Sequence, residues 1–354
     1  MFLILLILFS LLPNQNPQTT PRQQREAQIA YYDGIKYLQA HEYEKALPAL
    51  QQAITLYPDF AEAHLALGVI YYVQFKYKSA SESFAETIRL RPNGLPPYLL
   101  KAEVDIGRGQ AGQAEATAAQ AIQVNPKSAE AHYWLGYARD TLGKTDEALK
   151  SYDLAITLNP KYAAAYNRKG MVASIQGRAA EAIALYKQAI EADGKYGDAH
   201  LNLCRIYIKQ REFDLARTEV QSLTTIEDPN AKFVSHELQL AEKKDKAERA
   251  LKVNPKNPQA LCDLGMAIME IDPFIKNDRF ERATALFQQA LRLSPKHAEA
   301  HFGLGLCYVE RNETALAQKE YAILKRLNRE MAMKLSQRIQ EGRSRLPAIK
   351  FPNN

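Results

Sequence analysis

The sequence predicts an all-α fold built from repeated pairs of antiparallel helices, and three observations support this prediction. Four prolines recur every 34 residues, at Pro58, Pro92, Pro126 and Pro160. Small residues recur at the same interval, at Gly34, Gly68, Ala102, Gly136, Gly170 and Cys204. The 354 residues include only 16 glycines and 17 prolines, and this shortage of turn-forming residues favours helices. A fixed period of this length is typical of a repeat protein.

Each repeat is expected to contain a first helix, a short turn, a second helix and a break at the proline. An alanine follows each small residue by twelve positions, at Ala46, Ala80, Ala114, Ala148, Ala182 and Ala216. Two packed helices need small side chains where their backbones approach, so we expect these two positions to face each other. Gly109, Gly143 and Gly177 follow the first helices, where a left-handed residue is favoured.

The pattern around these positions is specific. It consists of Leu67, Gly68, Tyr71, Ala80, Phe84 and Pro92, and it recurs at Leu304, Gly305, Tyr308, Ala317 and Tyr321. In this respect the chain resembles the tetratricopeptide repeat family. The resemblance implies a helical solenoid, in which antiparallel helix pairs stack into a superhelix, closed by a C-terminal capping helix.

The period also predicts the domain organisation. Before the repeats we expect a hydrophobic, signal-like segment at residues 1–12 and a polar linker at residues 13–26. Six repeats then occupy residues 27–230, followed by a degenerate helix pair at residues 231–257. Two more repeats occupy residues 258–331, the first with an insertion near 271–280, and the capping helix and tail occupy residues 332–354. The last helix carries Met331, Met333, Leu335 and Ile339, which we expect on one side.

The first twelve residues, MFLILLILFSLL, are apolar or small and uncharged. As a helix they would span about 18 Å, which is too short for about 30 Å of bilayer hydrocarbon. The segment is similar to the apolar core of an export signal, although basic residues before it and a small-x-small cleavage site are missing. An uncleaved tether and an apolar end without a targeting role remain alternatives. We therefore expect a secreted, periplasmic or membrane-tethered protein on the extracytoplasmic side, with a cytoplasmic location as the alternative.

Charge and cysteine content narrow the classes of partner and site. The net charge of +6 is too small for a general polyanion binder, so no nucleic acid partner is expected. The basic excess lies between residues 325 and 345, on the predicted cap. Contact of this basic helix with an anionic membrane surface or an acidic partner is the alternative to a purely structural cap. The three cysteines form no CxxC pair, which excludes a thiolate zinc site.

An enzyme is not expected, because the repeats leave no room for a catalytic domain and no catalytic motif such as HExxH or GxSxG is present. His64, His132, His200 and His301 share one recurring position, predicted to face the core. Because each lies on a different helix pair, they cannot share a metal ion. The sequence therefore predicts no catalytic residue, no metal and no cofactor.

The candidate binding residues follow from helix geometry. At 100° per residue, positions three before, one after and four after the small residue point away from the partner helix, and the position two before lies at the rim. In the fourth to sixth repeats these positions include Tyr133, Trp134, Tyr137, Asn167, Arg168, Met171, Asn202 and Arg205. Aromatic rings supply contact area, amides can pair with an extended backbone, and arginines can bind carboxylates. These residues predict a peptide-binding concave face, and ordinary exposed side chains are the alternative.

The function expected from these observations is a non-enzymatic scaffold or adaptor that binds a protein or peptide segment in a bacterial cell envelope. One alternative is an accessory factor, or an unrecognised enzyme, that acts on cell-envelope polymers. The other is an architectural spacer without a tight ligand.

Overall fold

A computed structural model describes residues 20–270 and 279–344, and every regular element in these two ranges is an α-helix. The signal-like segment, residues 271–278 of the predicted insertion and the tail from residue 345 onward lie outside the described residues. The chain divides into two compact units, Met1–Ala199 and His200–Asn354. None of the described helices combines the length and the apolar character needed to cross a membrane.

The first unit contains five helix pairs. They are α1 (Pro21–Gln39) with α2 (Tyr43–Leu56), α3 (Ala61–Val73) with α4 (Tyr77–Leu90), α5 (Leu95–Gly107) with α6 (Ala111–Val124), α7 (Ala129–Thr141) with α8 (Thr145–Leu158), and α9 (Ala163–Ile175) with α10 (Ala179–Ala192). The helices of each pair pack together, and the second helix also packs against the first helix of the next pair. This is the stacking expected of an all-α helical solenoid.

The second unit contains the remaining described helices. They are α11 (Gly197–Gln210), in which the boundary falls, α12 (Phe213–Thr225), α13 (Ala231–Val253), α14 (Pro258–Glu270), α15 (Arg279–Leu293), α16 (Ala298–Glu310), α17 (Thr314–Leu327) and α18 (Arg329–Ser344). The predicted capping helix is α18, which packs against α16 and α17.

The small residues lie where an aromatic ring crosses the first helix. A Cβ added at Gly136 would lie 2.7 Å from the Tyr152 ring and 3.2 Å from the Ala148 carbonyl oxygen. A Cβ added at Gly68 would lie 2.4 Å from Phe84. Only hydrogen fits at these positions, because real Cβ atoms do not approach other atoms so closely. The contact with Ala148 agrees with the predicted pairing of the two small positions.

The turns after the first helices require a left-handed residue. Gly109, Gly143 and Gly177 have φ values of 71°, 75° and 76°, as the sequence predicts. The equivalent positions in three other repeats carry side chains at similar angles, with His41 at 60°, Phe75 at 58° and Arg211 at 63°. A left-handed residue other than glycine costs about 1–2 kcal/mol. The Arg211 side chain pairs with Asp245 and Glu248.

The recurring histidines hydrogen-bond to the turn before their helix. In three of the repeats, Nε2 of the histidine donates to the carbonyl oxygen of the proline six residues earlier. The bonds are His64 to Pro58 at 2.9 Å, His132 to Pro126 at 3.1 Å and His301 to Pro295 at 3.1 Å. The Tyr98 hydroxyl donates to Pro92 in the same way, at 2.9 Å. His200 and His301 are buried, as the sequence predicts, whereas His64 and His132 are only half-buried.

Two predicted boundaries differ from the structure. Residues 21–26 are helical rather than linker, because Thr20 caps α1 in a reciprocal arrangement with Gln23 and Pro21 occupies the first turn. The predicted degenerate pair at 231–257 is one continuous helix, α13. No glycine or proline interrupts residues 231–253, and Asp245 pairs with Arg249 one turn later, so the chain has no reason to turn.

The capping helix buries Ala332, Leu335 and Ile339, while Met333 is 60% exposed. The prediction that Met333 shares the apolar side is wrong, because residues at i, i+3 and i+7 from Ala332 form that side. Lys334 pairs with Glu330, and Arg338 pairs with Glu310 and Glu341. The basic side chains at the centre of this helix are therefore already paired within the chain.

Candidate functional site

The candidate site lies on the first helices of the first unit. Helix α5 contacts α7, and α7 contacts α9 directly. Helix α3 joins this row through Tyr72, whose hydroxyl donates to the Glu103 carboxylate on α5 at 2.6 Å. We call the surface that carries Tyr72 of α3, Glu103 of α5, Trp134 and Tyr137 of α7, and Arg168 of α9 the inner face.

An aromatic cluster occupies the centre of the inner face. The rings of Trp134 and Tyr137 are stacked, with centroids 5.9 Å apart and an interplanar angle of 13°. Tyr133 meets Trp134 edge-on at 5.1 Å and Tyr162 edge-on at 5.2 Å. The three α7 residues come together because positions i, i+1 and i+4 lie within one turn of a helix. Rings packed in this way form a rigid surface, because each restricts the rotamers of its neighbour.

Arg168 covers the aromatic cluster from the next repeat. Its guanidinium carbon lies 3.4 Å from the centroid of the Tyr137 ring. Burial opposes the charge of Arg168, but Tyr133 and Tyr137 outweigh it, so the pKa of the guanidinium is raised above its ordinary value. This is a cation–π contact, which is strengthened when the cation is partly desolvated.

Two predicted binding residues are buried. Tyr133 is 7% exposed and packs on Tyr152, while Asn167 is 3% exposed and donates to the Met171 sulfur at 3.9 Å. The expectation that Tyr133 and Asn167 line the surface therefore requires correction: both form the floor beneath it. Trp134, Tyr137, Arg168 and Met171 are half-buried and keep accessible surface.

Asn202 and Arg205 lie on α11 in the second unit. The Arg205 guanidinium pairs with Glu237 at 3.2 Å and lies 6.0 Å from the centroid of the exposed Phe233 ring. An arginine paired in this way is less available for a carboxylate on a ligand. The predicted residues of the fourth and fifth repeats thus form one cluster, and those of the sixth belong to the second unit.

Sequence reasoning left two carboxylates of the inner face out of the candidate site. Glu103 occupies the position equivalent to Tyr137 one repeat earlier, and Glu130 lies one turn before Trp134. Burial raises the pKa of Glu130, and the like charge of Glu103 raises it further, whereas Trp134 acts in the opposite direction. Burial likewise raises the pKa of Asp140, against the attraction of Arg168. The repeat register could have found Glu103, since it aligns directly with Tyr137.

One triad-like arrangement occurs in the second unit. Nδ1 of His200 lies 2.6 Å from Glu219, and Cys204 is one helical turn from His200. Cys204 is fully buried, its thiol donates to the Ala216 carbonyl, and burial raises its pKa to about 12. The same histidine–glutamate pair recurs at His301 and Glu320, where glycine takes the cysteine position. The pair is therefore a feature of the repeat, and this thiol is not an activated nucleophile.

One group of potential metal donors also occurs in the second unit. Donor atoms of Cys262, His297 and Glu299 all lie within 4.8 Å of one another. His297 Nδ1 caps α16 by accepting the Ala300 amide, and Nε2 donates to Gln259. Glu299 accepts from Gln259 at 2.8 Å, and burial raises the pKa of the Cys262 thiol to about 12. Both imidazole nitrogens of His297 therefore have partners within the chain, and the Cys262 thiol is buried.

Comparison with known proteins identifies the repeats. Profiles described as tetratricopeptide repeat match residues 99–163, 173–233 and 268–329, and a TPR repeat profile matches residues 34–74. Together these matches cover more than half of the chain. A search of curated proteins found no match.

Solved structures resemble parts of the chain. The crystal structure of MamA is 25% identical over 46% of this chain and 95% of its own, with a TM-score of 0.43. YrrB, described as a TPR protein with an unusual peptide-binding site, is 21% identical over 51% of this chain and 91% of its own, with a TM-score of 0.43. A monomeric mutant of IFIT1 with Gppp-AAAA is 18% identical over 85% of this chain and 71% of its own, with a TM-score of 0.55. At this identity the IFIT1 likeness concerns the fold alone. From the profile matches and the 34-residue helix pairs, the chain belongs to the tetratricopeptide repeat family.

Proposed function

We propose that this chain is a non-enzymatic scaffold that binds an extended protein segment on the inner face of its first unit. The observation that carries the proposal is the half-buried surface of Trp134, Tyr137 and Arg168, held in one arrangement by ring stacking and a cation–π contact. A preorganised surface binds with a smaller loss of side-chain entropy, and aromatic and arginine side chains dominate protein interfaces.

Thiol chemistry gives no support to the enzyme alternative. The three cysteines are buried, and burial raises their pKa values to about 12 for Cys204 and Cys262 and about 11 for Cys307. A nucleophilic cysteine needs a lowered pKa and access to substrate. The proposal of a scaffold without catalysis therefore rests on the family's repeat architecture.

The test is selection of peptides from a random twelve-residue display library on the full chain. Because Trp134 is the single tryptophan, its fluorescence reports binding near the cluster without interference. We expect selected peptides to shift this fluorescence saturably, and Tyr137→Ala or Arg168→Gln to weaken binding about tenfold. The matched control is Leu154→Ala, which removes an exposed apolar side chain from α8, the second helix of the same pair.

Melting followed by circular dichroism identifies variants that fail to fold, and Arg168→Gln, at the surface, provides the second variant. If no peptide is selected, or if all three variants bind alike, the scaffold proposal for this face is wrong. The architectural spacer without a tight ligand would then be favoured.

We also propose that the protein acts in the cell envelope, with Met1–Leu12 as an export signal or tether. The support is the uncharged, apolar sequence of this segment. We place any membrane contact there, since Lys334 and Arg338 of the capping helix are already paired. The mass of the mature chain tests the proposal, because cleavage removes the segment and tethering retains it in the membrane fraction. An intact chain found only in the soluble cytosol would contradict both.

A further inference from the structure

The inner face of the first unit carries carboxylates that form no ion pair with another described residue. Glu103, Glu130 and Asp140 form no ion pair within the described part of the chain, and each keeps some accessible surface. Some other carboxylates of the first helices and of the helices beside them are neutralised locally; Glu62 pairs with Arg91 and Glu115 with Lys144. The face therefore holds an excess of negative charge.

This negative charge is energetically unfavourable in the unliganded protein. Burial raises the pKa of Glu130 and of Asp140, and Glu103 adds like-charge repulsion at Glu130. Arg168 partly opposes the rise in the pKa of Asp140, although its guanidinium lies over the Tyr137 ring. No basic side chain among the described residues lowers the pKa of Glu130. A positive charge supplied by a ligand would favour the ionised carboxylates and so would bind with a gain in free energy.

The aromatic neighbours of these carboxylates suit the same kind of ligand. Tyr72 donates to Glu103, and Trp134 lies one helical turn from Glu130 on α7. Arg168 on Tyr137 demonstrates that a guanidinium group stacks on this surface. Aromatic rings beside unpaired carboxylates attract arginine and lysine side chains through cation–π and charge-assisted hydrogen-bond contacts together.

Recognition of an acidic ligand receives less support. The sequence suggested that Arg168 and Arg205 would bind carboxylates, but Arg168 stacks on Tyr137 and Arg205 pairs with Glu237. An acidic segment on the inner face would also meet Glu103 and Glu130 at close range. Like charges at an interface are repulsive and act against such a partner.

We propose that the segment bound on the inner face is basic, and that an arginine or lysine of the partner contacts Trp134 and pairs with Glu103 and Glu130. This inference rests on the proposed function and specifies the chemistry of its ligand. Glu103 and Glu130 act as specificity-determining residues, because they select the charge of the segment while the aromatic cluster supplies contact area.

The test compares three synthetic decapeptides on the full chain, with alanine alternating with arginine, with citrulline or with glutamate. Citrulline keeps the shape of arginine without its charge. Titration is followed by Trp134 fluorescence and by calorimetry at about 0.15 M salt, where surface charges beyond about 8 Å are screened. We expect the arginine peptide to bind about tenfold more tightly than the citrulline peptide, and the glutamate peptide to bind more weakly than both.

The protein variant is the double substitution Glu103→Gln and Glu130→Gln, which keeps size and removes two charges. We expect it to reduce the preference for arginine over citrulline to less than about twofold. The matched control is Glu44→Gln with Glu191→Gln, which removes two exposed, unpaired charges from α2 and α10, the second helices of their pairs, and should leave the preference unchanged.

The outcomes separate this inference from the proposed function. If peptides selected from the display library bind the inner face but arginine, citrulline and glutamate peptides bind alike, the basic ligand is wrong and the scaffold remains. If the control substitutions reduce the preference as much as Glu103→Gln with Glu130→Gln, the attraction is a general effect of net charge, which also overturns the inference. If no peptide of any charge binds, both proposals fail.

Discussion

The ring of Tyr186 lies on the backbone of Gly170, so closely that a Cβ at Gly170 would be 2.5 Å from the nearest ring carbon. Tyr186 is almost fully buried and has no space to withdraw. We expect Gly170→Ala to lower the free energy of unfolding by about 1–3 kcal/mol, as for other overpacked cores. Chemical denaturation followed by circular dichroism measures this change.

Gly112 provides the matched control for this substitution. It also lies in a helix, α6, but nothing lies within 4 Å of an added Cβ. Gly112→Ala should therefore leave stability unchanged or raise it by up to about 1 kcal/mol, because alanine restricts the unfolded chain more than glycine does. A loss of stability of the same size in both variants would contradict the role assigned to the Tyr186 ring.

Asp105 forms a polar network inside the third repeat. It is fully buried, accepts a hydrogen bond from the Ser81 hydroxyl at 2.7 Å, and pairs with Lys101 at 2.6 Å and Arg108 at 3.4 Å. We expect Asp105→Ala to cost about 3 kcal/mol in the free energy of unfolding, because two half-buried cations lose their partner. Asp153→Ala, which breaks a more exposed pair with Lys169, should cost less than about 1 kcal/mol. Equal losses at the two sites would argue against the network.

Phe75 is strained and exposed. It holds a left-handed φ of 58° with 77% of its surface in solvent, and Tyr77 is its ring neighbour. Phe75→Gly should raise the free energy of unfolding by about 1 kcal/mol relative to Phe75→Ala, since both remove the ring but only glycine relieves the backbone. Thermal melting of the two variants measures the difference, and identical melting temperatures would show that the turn is not strained.

Acid should weaken binding of the arginine decapeptide, whereas protonation of Glu130 favours the unliganded fold. Glu130 has a raised pKa in the folded chain, so the folded state holds this proton more tightly than the unfolded state, and its contribution to stability increases as pH falls through that pKa. A cationic ligand instead requires the ionised carboxylate. Around Glu130 the interacting groups are Glu103, Trp134 and Tyr162.

We therefore expect affinity for the arginine decapeptide to fall as the pH is lowered, and to begin falling above the ordinary range of a glutamate near pH 4.3, because the pKa of Glu130 is raised. Calorimetry at a series of pH values measures this fall, and Glu130→Gln should flatten the profile. A profile that stays unchanged in Glu130→Gln would assign the pH dependence to another group.

Much of the fold could be predicted from the period alone. Gly68 and Gly136 lie under aromatic rings, and Gly143 is left-handed, because equivalent positions in successive repeats have the same packing and the same turn. The position of the departure at 231–257 could be predicted, but its structure could not. Helix α13 replaces an expected pair because no glycine or proline interrupts it, and it contacts the turn between α11 and α12 through Arg211 and Asp245, which are 34 positions apart.

The candidate site was predicted in part for a similar reason. Helical geometry gives the direction of Trp134 and Tyr137 along α7, but not how deeply the next repeat covers them. Tyr133 is buried because Tyr152 and Tyr162 pack against it, and Arg168 is occupied because its side chain reaches back to Tyr137. These contacts depend on long side chains from neighbouring helices. The geometry of one helix alone does not give the conformations of those side chains.

Photocrosslinking locates the bound segment most directly. The tightest-binding peptide from the display selection would carry a diazirine at its centre and be irradiated with the full chain, and mass spectrometry would identify the modified residues. Binding on the inner face predicts modification of α5, α7 and α9 around Trp134, Tyr137 and Met171, and its loss in Tyr137→Ala. Modification confined to α6, α8 and α10, or to the second unit, would contradict the account.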